Sequence, residues 1–291
     1  MEFSAFDLFQ AVVKGLLTGM VYSLMALGLT VIFGVMRVVN FAHGEMMVVA
    51  MYLAVMAFAL IGLDPIVALL PIAAILFLFG YTLQRTVINR FINVPEHMQF
   101  ILMLAIAIIL VNACLLLAGP DAQAVQLDYA LDSFEIGQLL IDKTRVYAAV
   151  GSLVIAVLLY LFFDRTRTGK AIRAAADNHA GALVVGLDVN RLYAITFGIG
   201  AACVGAAGAL TIMLVQVQPF LAVEYTLLAF TIVIIGGLGS LRGAIAGGLL
   251  IGVSEAVAGF LLEPSLKSVF SFGLLILVLL IRPQGLFGRA A

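Results

Sequence analysis

The sequence predicts an all-α membrane protein: a polytopic transmembrane helical bundle of about eight or nine spans, some of them broken. Of its 291 residues, 64% are hydrophobic and 11% are charged, whereas a soluble domain is about 45–50% apolar and about 25% charged. The apolar residues form runs close to the ~20 residues that cross a bilayer core about 30 Å thick. Two of these runs stop abruptly at polar or glycine-rich stretches, which predicts broken helices.

Nine candidate spans follow one another along the chain. The residues before the first span include Glu2 and Asp7 rather than the basic start of a signal peptide, so we expect that span to be retained. The seventh span has a short uninterrupted apolar part, Leu227–Ile235, followed by GGLGSLRG, which predicts half a helix and a glycine break. The predicted spans are Leu16–Phe33, Met46–Leu63, Ile66–Tyr81, Phe100–Ala118, Val146–Phe163, Tyr193–Val215, Tyr225–Leu241, Ala244–Leu262 and Ser265–Ile281.

Charged residues between the spans predict the orientation of the chain. Basic residues dominate 82–97, 164–191 and the tail with Arg282 and Arg289, and the positive-inside rule places these segments in the cytoplasm. Acidic residues dominate 120–145, which we therefore expect outside. Alternate crossings then place the N-terminus outside and the C-terminus in the cytoplasm. The charge pattern fixes the parity of the crossings and not their number.

Small residues spaced four apart predict close contacts between helices, because such spacing lets helix backbones approach in lipid. We expect these contacts within one bundle rather than at a dimer face. VIFG at 31–34 and VIIG at 233–236 each end an apolar run before an irregular stretch, which indicates a possible internal repeat. The spaced pairs are Gly15 and Gly19, Gly243 and Gly247, and Gly248 and Gly252.

The two breaks are the candidate solute path. Irregular backbone at membrane depth is tolerated only where it is buried in protein or faces a water-filled cavity; the alternative for 34–45 is an ordinary turn. We expect Asn40 and His43 to satisfy backbone groups freed at the end of the first span, Gly44 to permit the change of direction, and Glu45 to open the next helix. Glu255 is an intramembrane carboxylate that lines the path or anchors helix packing. The candidate path residues are Asn40, His43, Gly44, Glu45, Gly236, Gly237, Gly239, Ser240 and Glu255.

The sequence contains no pattern of catalytic or metal-binding residues, and it predicts no cofactor in this chain. RTRTGKAI, at 165–172, has Asp164 and Ala171 where a phosphate loop needs Gly and Ser or Thr. Cys114 and Cys203 lie in apolar runs, which is typical of buried free thiols. The net charge of −1 gives no reason to expect nucleic acid as a partner.

The basic segment 164–191 is predicted to carry a short helix with a docking role. Thr168 can cap its start and Gly186 can stop it. Its apolar residues favour contact with a partner protein; the alternative is a helix lying on the membrane surface. The apolar residues are Ile172, Ala175, Ala176, Leu183 and Val184.

Four stretches make the chain recognisable: GMVYSLMALGLTVIFGVMRVVNFAHGEMMV (19–48), TGKAIRAAADNHAGALVVGLDVNR (168–191), GGLGSLRGAIAGGLLIGVSEA (236–256) and RPQGLFG (282–288). With them the chain resembles the integral-membrane permeases of bacterial branched-chain amino-acid ABC importers, the LivH-like proteins. The resemblance implies a single permease domain, 1–291, with a cytoplasmic coupling segment at 164–191 similar to the EAA-type loop. This sequence departs from that loop, with Arg173 where Glu would stand and Gly181 later than expected. The implied ATPase-coupling residues are Gly169, Arg173, Ala174, Ala175, Ala182 and Gly186.

The same resemblance implies partners and a location. The partners are a second related permease subunit, cytoplasmic ATP-binding subunits that bind the ATP, and a periplasmic solute-binding protein. The implied location is the bacterial inner membrane, and the implied role is transport of branched-chain or related amino acids without enzymatic activity. Relatives in the family carry urea, amides or aromatic acids, so these solutes stay open. Two further alternatives are a stand-alone secondary transporter and a membrane enzyme.

Overall fold

The structure, a computed structural model, describes residues 5–92, 94–262 and 267–288, and every count below refers to them. Helices account for most of these residues, and the only strands in the described ranges form one hairpin. The helices are α1 Ala5–Met36, α2 His43–Ile61, α3 Pro65–Thr86, α4 Glu96–Ala118, α5 Lys143–Arg165, α6 Arg167–Asp177, α7 His179–Val184, α8 Val189–Thr211, α9 Leu221–Gly236, α10 Leu241–Leu261 and α11 Lys267–Ile281, with a 3-10 turn at Ile88–Phe91; the strands are β1 Ser133–Ile136 and β2 Leu139–Asp142.

The predicted polytopic helical bundle is confirmed. Among the described helices, seven are long and apolar enough to cross a membrane, namely α1 to α5, α8 and α10, and the shorter α9 and α11 are also apolar. The chain is therefore a multi-pass membrane protein. The first helix begins at Ala5, before the predicted Leu16. The predicted ninth span starts at Ser265, which, like Arg289, lies outside the described residues.

Contacts between the connecting segments sort the helix ends into two groups. The "hairpin end" comprises 62–64, 119–142 and 212–220. There the Tyr129 hydroxyl donates to Asp64 at 2.6 Å, and Gln123 and Val217 exchange two backbone hydrogen bonds of 2.9 and 2.8 Å. The "break end" comprises 37–42, 87–92, 166–188, 237–240 and 282–288. Burial, together with the bond to Asp64, raises the pKa of Tyr129 above its usual value.

The helix α9 joins the two ends although it has only 16 residues, about 24 Å of helix. It begins shortly after Val217, which is paired at the hairpin end, and finishes at Gly236, whose carbonyl accepts from Phe287 at the break end. The predicted half-helix therefore crosses the bundle rather than turning back. The glycine break predicted after it is found between Gly236 and Leu241.

The spaced glycines pack helix against helix, as predicted. A Cβ built on Gly19 would lie 2.8 Å from the Gly248 carbonyl oxygen, and one on Gly15 would lie 2.8 Å from that of Gly252. Glycines of α1 thus face glycines of α10. Contacts this close leave no room for a larger side chain, so the two backbones pack directly.

The hairpin was not predicted. Ser133 to Ile136 pair antiparallel with Leu139 to Asp142 across a turn in which Gly137 has φ 66°. The Gln10 side chain donates to the Leu140 carbonyl at 2.9 Å, and the Lys14 ammonium lies 3.6 Å from Asp142. These contacts hold the hairpin against the start of α1.

The segment 166–188 forms two helices rather than the single one expected. Thr166, and not Thr168, caps α6, because its hydroxyl accepts from the Gly169 amide at 2.9 Å. Asn178 ends α6 and caps α7, since its side chain accepts from the Gly181 amide at 2.8 Å. Gly186, with φ 81°, follows α7, as the sequence predicted for the stop.

Candidate functional site

The first break, 37–42, turns back into the bundle. It starts at Arg37, the only non-glycine residue with positive φ (55°) in the part of the chain that the structure describes. Val38, Asn40 and Ala42 are then buried, so the irregular backbone is covered by protein, as membrane depth requires. Asn40 satisfies a backbone donor by accepting from the Ala42 amide at 3.0 Å, but not at the position that the sequence predicted. This donor lies at the start of α2 and not at the end of α1.

His43 shows how far the chain returns. Its Nε2 lies 2.9 Å from the carbonyl oxygen of Met25, which is 11 residues before the last residue of α1, Met36 (36 − 25 = 11). Eleven residues are about 16 Å of helix, so α2 begins deep inside the bundle. The expectation that His43 satisfies groups freed at the end of α1 is therefore wrong.

Gly44 and Glu45 form a junction between α2 and α9. The Thr226 hydroxyl of α9 accepts from the Gly44 amide at 2.9 Å and donates to Glu45 Oε2 at 3.1 Å. A Cβ on Gly44 would lie 2.5 Å from the Thr226 nitrogen and would also collide with the Ala222 carbonyl. Glu45 lies in the first turn of α2, as predicted. The predicted reason for Gly44 is wrong, because Gly44 is helical and serves a close crossing, whereas the chain changes direction at Arg37.

The second break, 237–240, is held by the C-terminal tail. Gly237 and Gly239 have φ of 101° and 80°, which favours glycine. The Ser240 hydroxyl accepts from the Gly243 amide at 3.1 Å and so caps α10. The tail closes over the last turn of α9, where the Leu286 amide donates to the Ile235 carbonyl at 2.8 Å.

The structure brings the two breaks together at the break end. A Cβ on Gly34, near the end of α1, would lie 3.2 Å from Gly239 Cα. The end of α1 therefore lies against the second break. His43, Gly44 and Glu45 are not at this contact, because they begin α2 deeper in the bundle, beside Met25 and Thr226. Glu255 is not at this contact either, because it lies 15 residues beyond Ser240 (255 − 240 = 15), about 22 Å along α10.

Glu255 instead lines a cavity of about 440 Å³ near the hairpin end, which we call the outer cavity. Its carboxylate accepts from the Tyr22 hydroxyl at 3.0 Å and from the Ser271 hydroxyl at 2.9 Å. Glu255 therefore contacts side chains of α1 and α11. The polar lining residues are Tyr22, Gln216, Gln218, Glu224, Tyr225, Thr231, Glu255, Ser268 and Ser271.

Tyr22, Glu224 and Thr226 were missed as site residues. A signal existed for Glu224, an acid at the edge of a predicted span. Tyr22 and Thr226 gave no such signal, because a single hydroxyl in an apolar run is common and its partner is more than 180 residues away in the chain.

A second cavity, of about 450 Å³, lies beside the first break. Phe41 of the break packs edge-on against Phe100 of α4, with ring centroids 4.6 Å apart, and lies 5.0 Å from Phe230 of α9. This aromatic cluster packs the break against two helices. Movement of α4 or α9 would therefore shift the break as well.

The predicted coupling residues separate into two faces of α6 and α7. Gly169, Ala175 and Ala182 are buried within the chain. The other three, Arg173, Ala174 and Gly186, are exposed. The largest apolar exposure of this segment lies at Leu183, Val184 and Val185, with 54%, 87% and 74% of their surface accessible.

The bundle, with its facing helix breaks and its outer cavity, has the architecture of a membrane transport subunit. Residues 11–279 match the family described as the branched-chain amino acid transport system / permease component. The chain belongs to this family, and the resemblance found in its sequence is confirmed.

Individual relatives agree with the family match. The chain is 33% identical to the high-affinity branched-chain amino acid transport system permease protein BraD of Pseudomonas aeruginosa, over 96% of this chain and 95% of that protein. It is 32% identical to the permease protein LivH of the corresponding high-affinity system of Escherichia coli, over 96% of this chain and 95% of LivH. A shorter match, 31% identical over 46% of this chain and 44% of the relative, is to the probable branched-chain amino acid transport permease protein LivM of Methanocaldococcus jannaschii. No solved structure matches the chain significantly. Permease components of transport systems work with further subunits, so these relatives imply partners for this chain.

Proposed function

We propose that the chain, as one permease domain over 1–291, is a membrane subunit of an ATP-driven importer of branched-chain or related amino acids. The observation that carries this proposal is the family match over 11–279, together with full-length relatives named for branched-chain amino acid transport. In this proposal the chain itself carries out no chemical reaction. Its work is to bind, pass and release a solute across the inner membrane.

The proposed solute route runs from the outer cavity to the two breaks. The cavity provides room for a small solute near the hairpin end. At the other end, Gly34 of α1 packs against Gly239 of the second break. Opening of this contact, with α2 and α9 moving together through the Thr226 junction, would release the solute at the break end. Asn40, His43, Gly44 and Glu45 would then act on the route through backbone shape.

Partner ATP-binding subunits would bind ATP and drive this opening through α6 and α7. RTRTGKAI supports a separate ATPase, because in the structure it caps and opens α6 instead of forming a phosphate-binding loop. The contact would be made by the exposed Leu183, Val184 and Val185 and by Arg173. The buried Ala175 and Ala182 would support these residues from beneath.

The orientation and the remaining partners follow from charge and from the relatives. The basic segments 82–97 and 164–191 favour a cytoplasmic break end, which leaves the N-terminus outside and the C-terminus inside. A periplasmic solute-binding protein would then deliver the solute at the hairpin end. The partial likeness to LivM supports pairing with a second, related permease subunit.

The test is solute uptake by the complete importer, with both permease subunits, the ATP-binding subunits and the solute-binding protein in liposomes. We expect ATP-dependent accumulation of leucine, isoleucine or valine. Uptake by this chain alone would identify a secondary transporter instead. Accumulation of urea, an amide or an aromatic acid, with no branched-chain amino acid transported, would reassign the solute within the family.

A further inference from the structure

The wall of the outer cavity carries a carboxylate whose side chain has no bonding partner among the residues that the structure describes. Glu224 lies in the first turn of α9 and lines the cavity. Its side chain is exposed, and it forms no hydrogen bond or ion pair with any residue in the described ranges. An exposed carboxylate at a cavity wall is available to a polar group of a bound solute.

Glu255 lines the same cavity from α10, but its side chain is bonded to other helices. Its two oxygens accept from Tyr22 of α1 and Ser271 of α11, so it joins three helices. Among the described residues, Glu224 has no comparable bonding partner. The cavity thus has one carboxylate that fixes its wall and a second that is exposed to a solute.

The charge around the cavity favours a cation. Neither Lys nor Arg is among the residues described as lining it, whereas two carboxylates are. Arg145, at the same end of the bundle, is held by Asp142 at 2.7 Å and by the Thr18 hydroxyl at 2.8 Å. Because opposite charges attract more strongly where water is partly excluded, a cationic group is stabilised here and an anion is not.

The remaining wall is apolar and suits an aliphatic body. The volume of about 440 Å³ lies in the range of pockets for small molecules. Amide groups of Gln216 and Gln218 and hydroxyl groups of the wall supply neutral donors for a carboxylate at the far end of a zwitterion. The apolar lining residues include Val215, Leu221, Leu227, Leu228 and Phe272.

We propose that Glu224 recognises the ammonium group of the transported solute, so that the outer cavity selects compounds with a primary ammonium group and a compact apolar side chain. The inference rests on the proposed function and deepens it, because it states which chemical group of the solute the permease itself recognises. Urea, amides and aromatic acids lack this group and gain nothing from Glu224.

The experiment measures solute binding in the cavity directly, in the complete importer assembled without its solute-binding protein. Ser268→Cys, in a background with Cys114→Ala and Cys203→Ala, places a thiol in the cavity wall for a water-soluble thiol reagent. We expect leucine to slow labelling, whereas 4-methylpentanoate, which is leucine without its amino group, does not. Glu224→Gln should raise the leucine concentration for half-maximal protection about tenfold or more, as loss of a charge-assisted hydrogen bond implies.

Two further variants make the result specific. Glu224→Asp keeps the charge and should retain most of the protection, whereas Glu135→Gln, in β1 outside the cavity lining, should leave protection unchanged. Equal protection in Glu224→Gln and the parent, or no protection by leucine in the parent, overturns the inference. Leucine uptake by the unmodified importer is measured separately, so failure of the proposed function is distinguished from failure of this inference.

Discussion

Gly44 lies at the crossing of α2 and α9, where its side chain has room for no more than a hydrogen atom. The Gly44 amide and the Glu45 carboxylate share one hydroxyl, that of Thr226. The two neighbours therefore differ in what they contribute. Gly44 contributes shape, because any Cβ would push the helices apart, and Glu45 contributes one hydrogen bond and a charge near the start of α2.

Gly44→Val should therefore damage the importer far more than Glu45→Gln. Overpacking a close contact typically costs about 1–3 kcal/mol, whereas a neutral Gln keeps an acceptor for Thr226 and loses only about 0.3–1 kcal/mol of helix-dipole stabilisation. Thermal unfolding in detergent and ATP-driven uptake measure both effects. Gly273→Ala is the matched control, because nothing lies within 4 Å of a Cβ built there. Full activity of Gly44→Val would contradict the need for a close crossing of α2 and α9 at this position.

For the first break, the sequence predicted the local position of Glu45 but not the long-range contact of His43. Glu45 was placed correctly because an acid in a first helical turn is a local pattern. The partner of His43 was not, because the Met25 carbonyl becomes its neighbour only when the chain runs back along α1. The path of that return is decided by packing, for which Arg37 and its positive φ gave no sign in the sequence.

The helices α6 and α7 form a unit whose two faces differ in exposure. Ile172 and Ala175 are 0% and 2% exposed, so α6 packs on the chain's own bundle. Val184, 87% exposed, lies on the outside of α7. A partner that docks here meets α7 first and reaches the bundle through α6.

Val184→Glu should weaken co-purification of the ATP-binding subunits and abolish uptake, while the permease itself stays folded. Ala175→Glu should instead destabilise the permease, because a buried charge without a partner costs several kcal/mol. Leu131→Glu, at the hairpin end, is the control for co-purification and should leave the ATP-binding subunits bound. Retention of the ATP-binding subunits at normal levels by Val184→Glu would contradict the docking role of α7.

At this scale the sequence predicted that a helix exists at 168–186 and where it stops, but not its division. The predicted helix runs through Asn178, although Asn is a favoured N-cap residue and in the structure begins α7. The β-hairpin escaped because each strand has only four residues, too few for an alternating pattern to stand out from an acidic loop.

The molecule as a whole has two ends of different charge. The segment 164–191 contains five basic residues and 120–145 contains five acidic ones, counted from the sequence. The structure places these segments at opposite ends of the bundle. Hydropathy located the apolar helices, although α1 begins at Ala5 rather than at the predicted Leu16. Neither hydropathy nor glycine spacing could show which spans are neighbours. Glycines spaced four apart predict that a helix has a close contact, but they do not predict which helix it contacts.

Single cysteines should label from opposite sides of the membrane. Leu131→Cys and Val184→Cys occupy sites that are 97% and 87% exposed, at the hairpin end and the break end. In a background without Cys114 and Cys203, an impermeant thiol reagent applied from the periplasm should label the first and leave the second unlabelled until the membrane is opened. Labelling of both from one side would refute the orientation derived from the charge pattern.

The contact between Gly19 and Gly248 joins residues 229 positions apart (248 − 19 = 229). At about 5–20 residues per second, a ribosome needs roughly 10–45 s to make the intervening chain. The first helix synthesised must therefore wait in the membrane with its glycine face uncovered until α10 emerges. The contact between α1 and α10 therefore forms late in synthesis. A nascent chain that stops before Leu241 lacks α10, so the glycines of α1 have no partner helix to pack against.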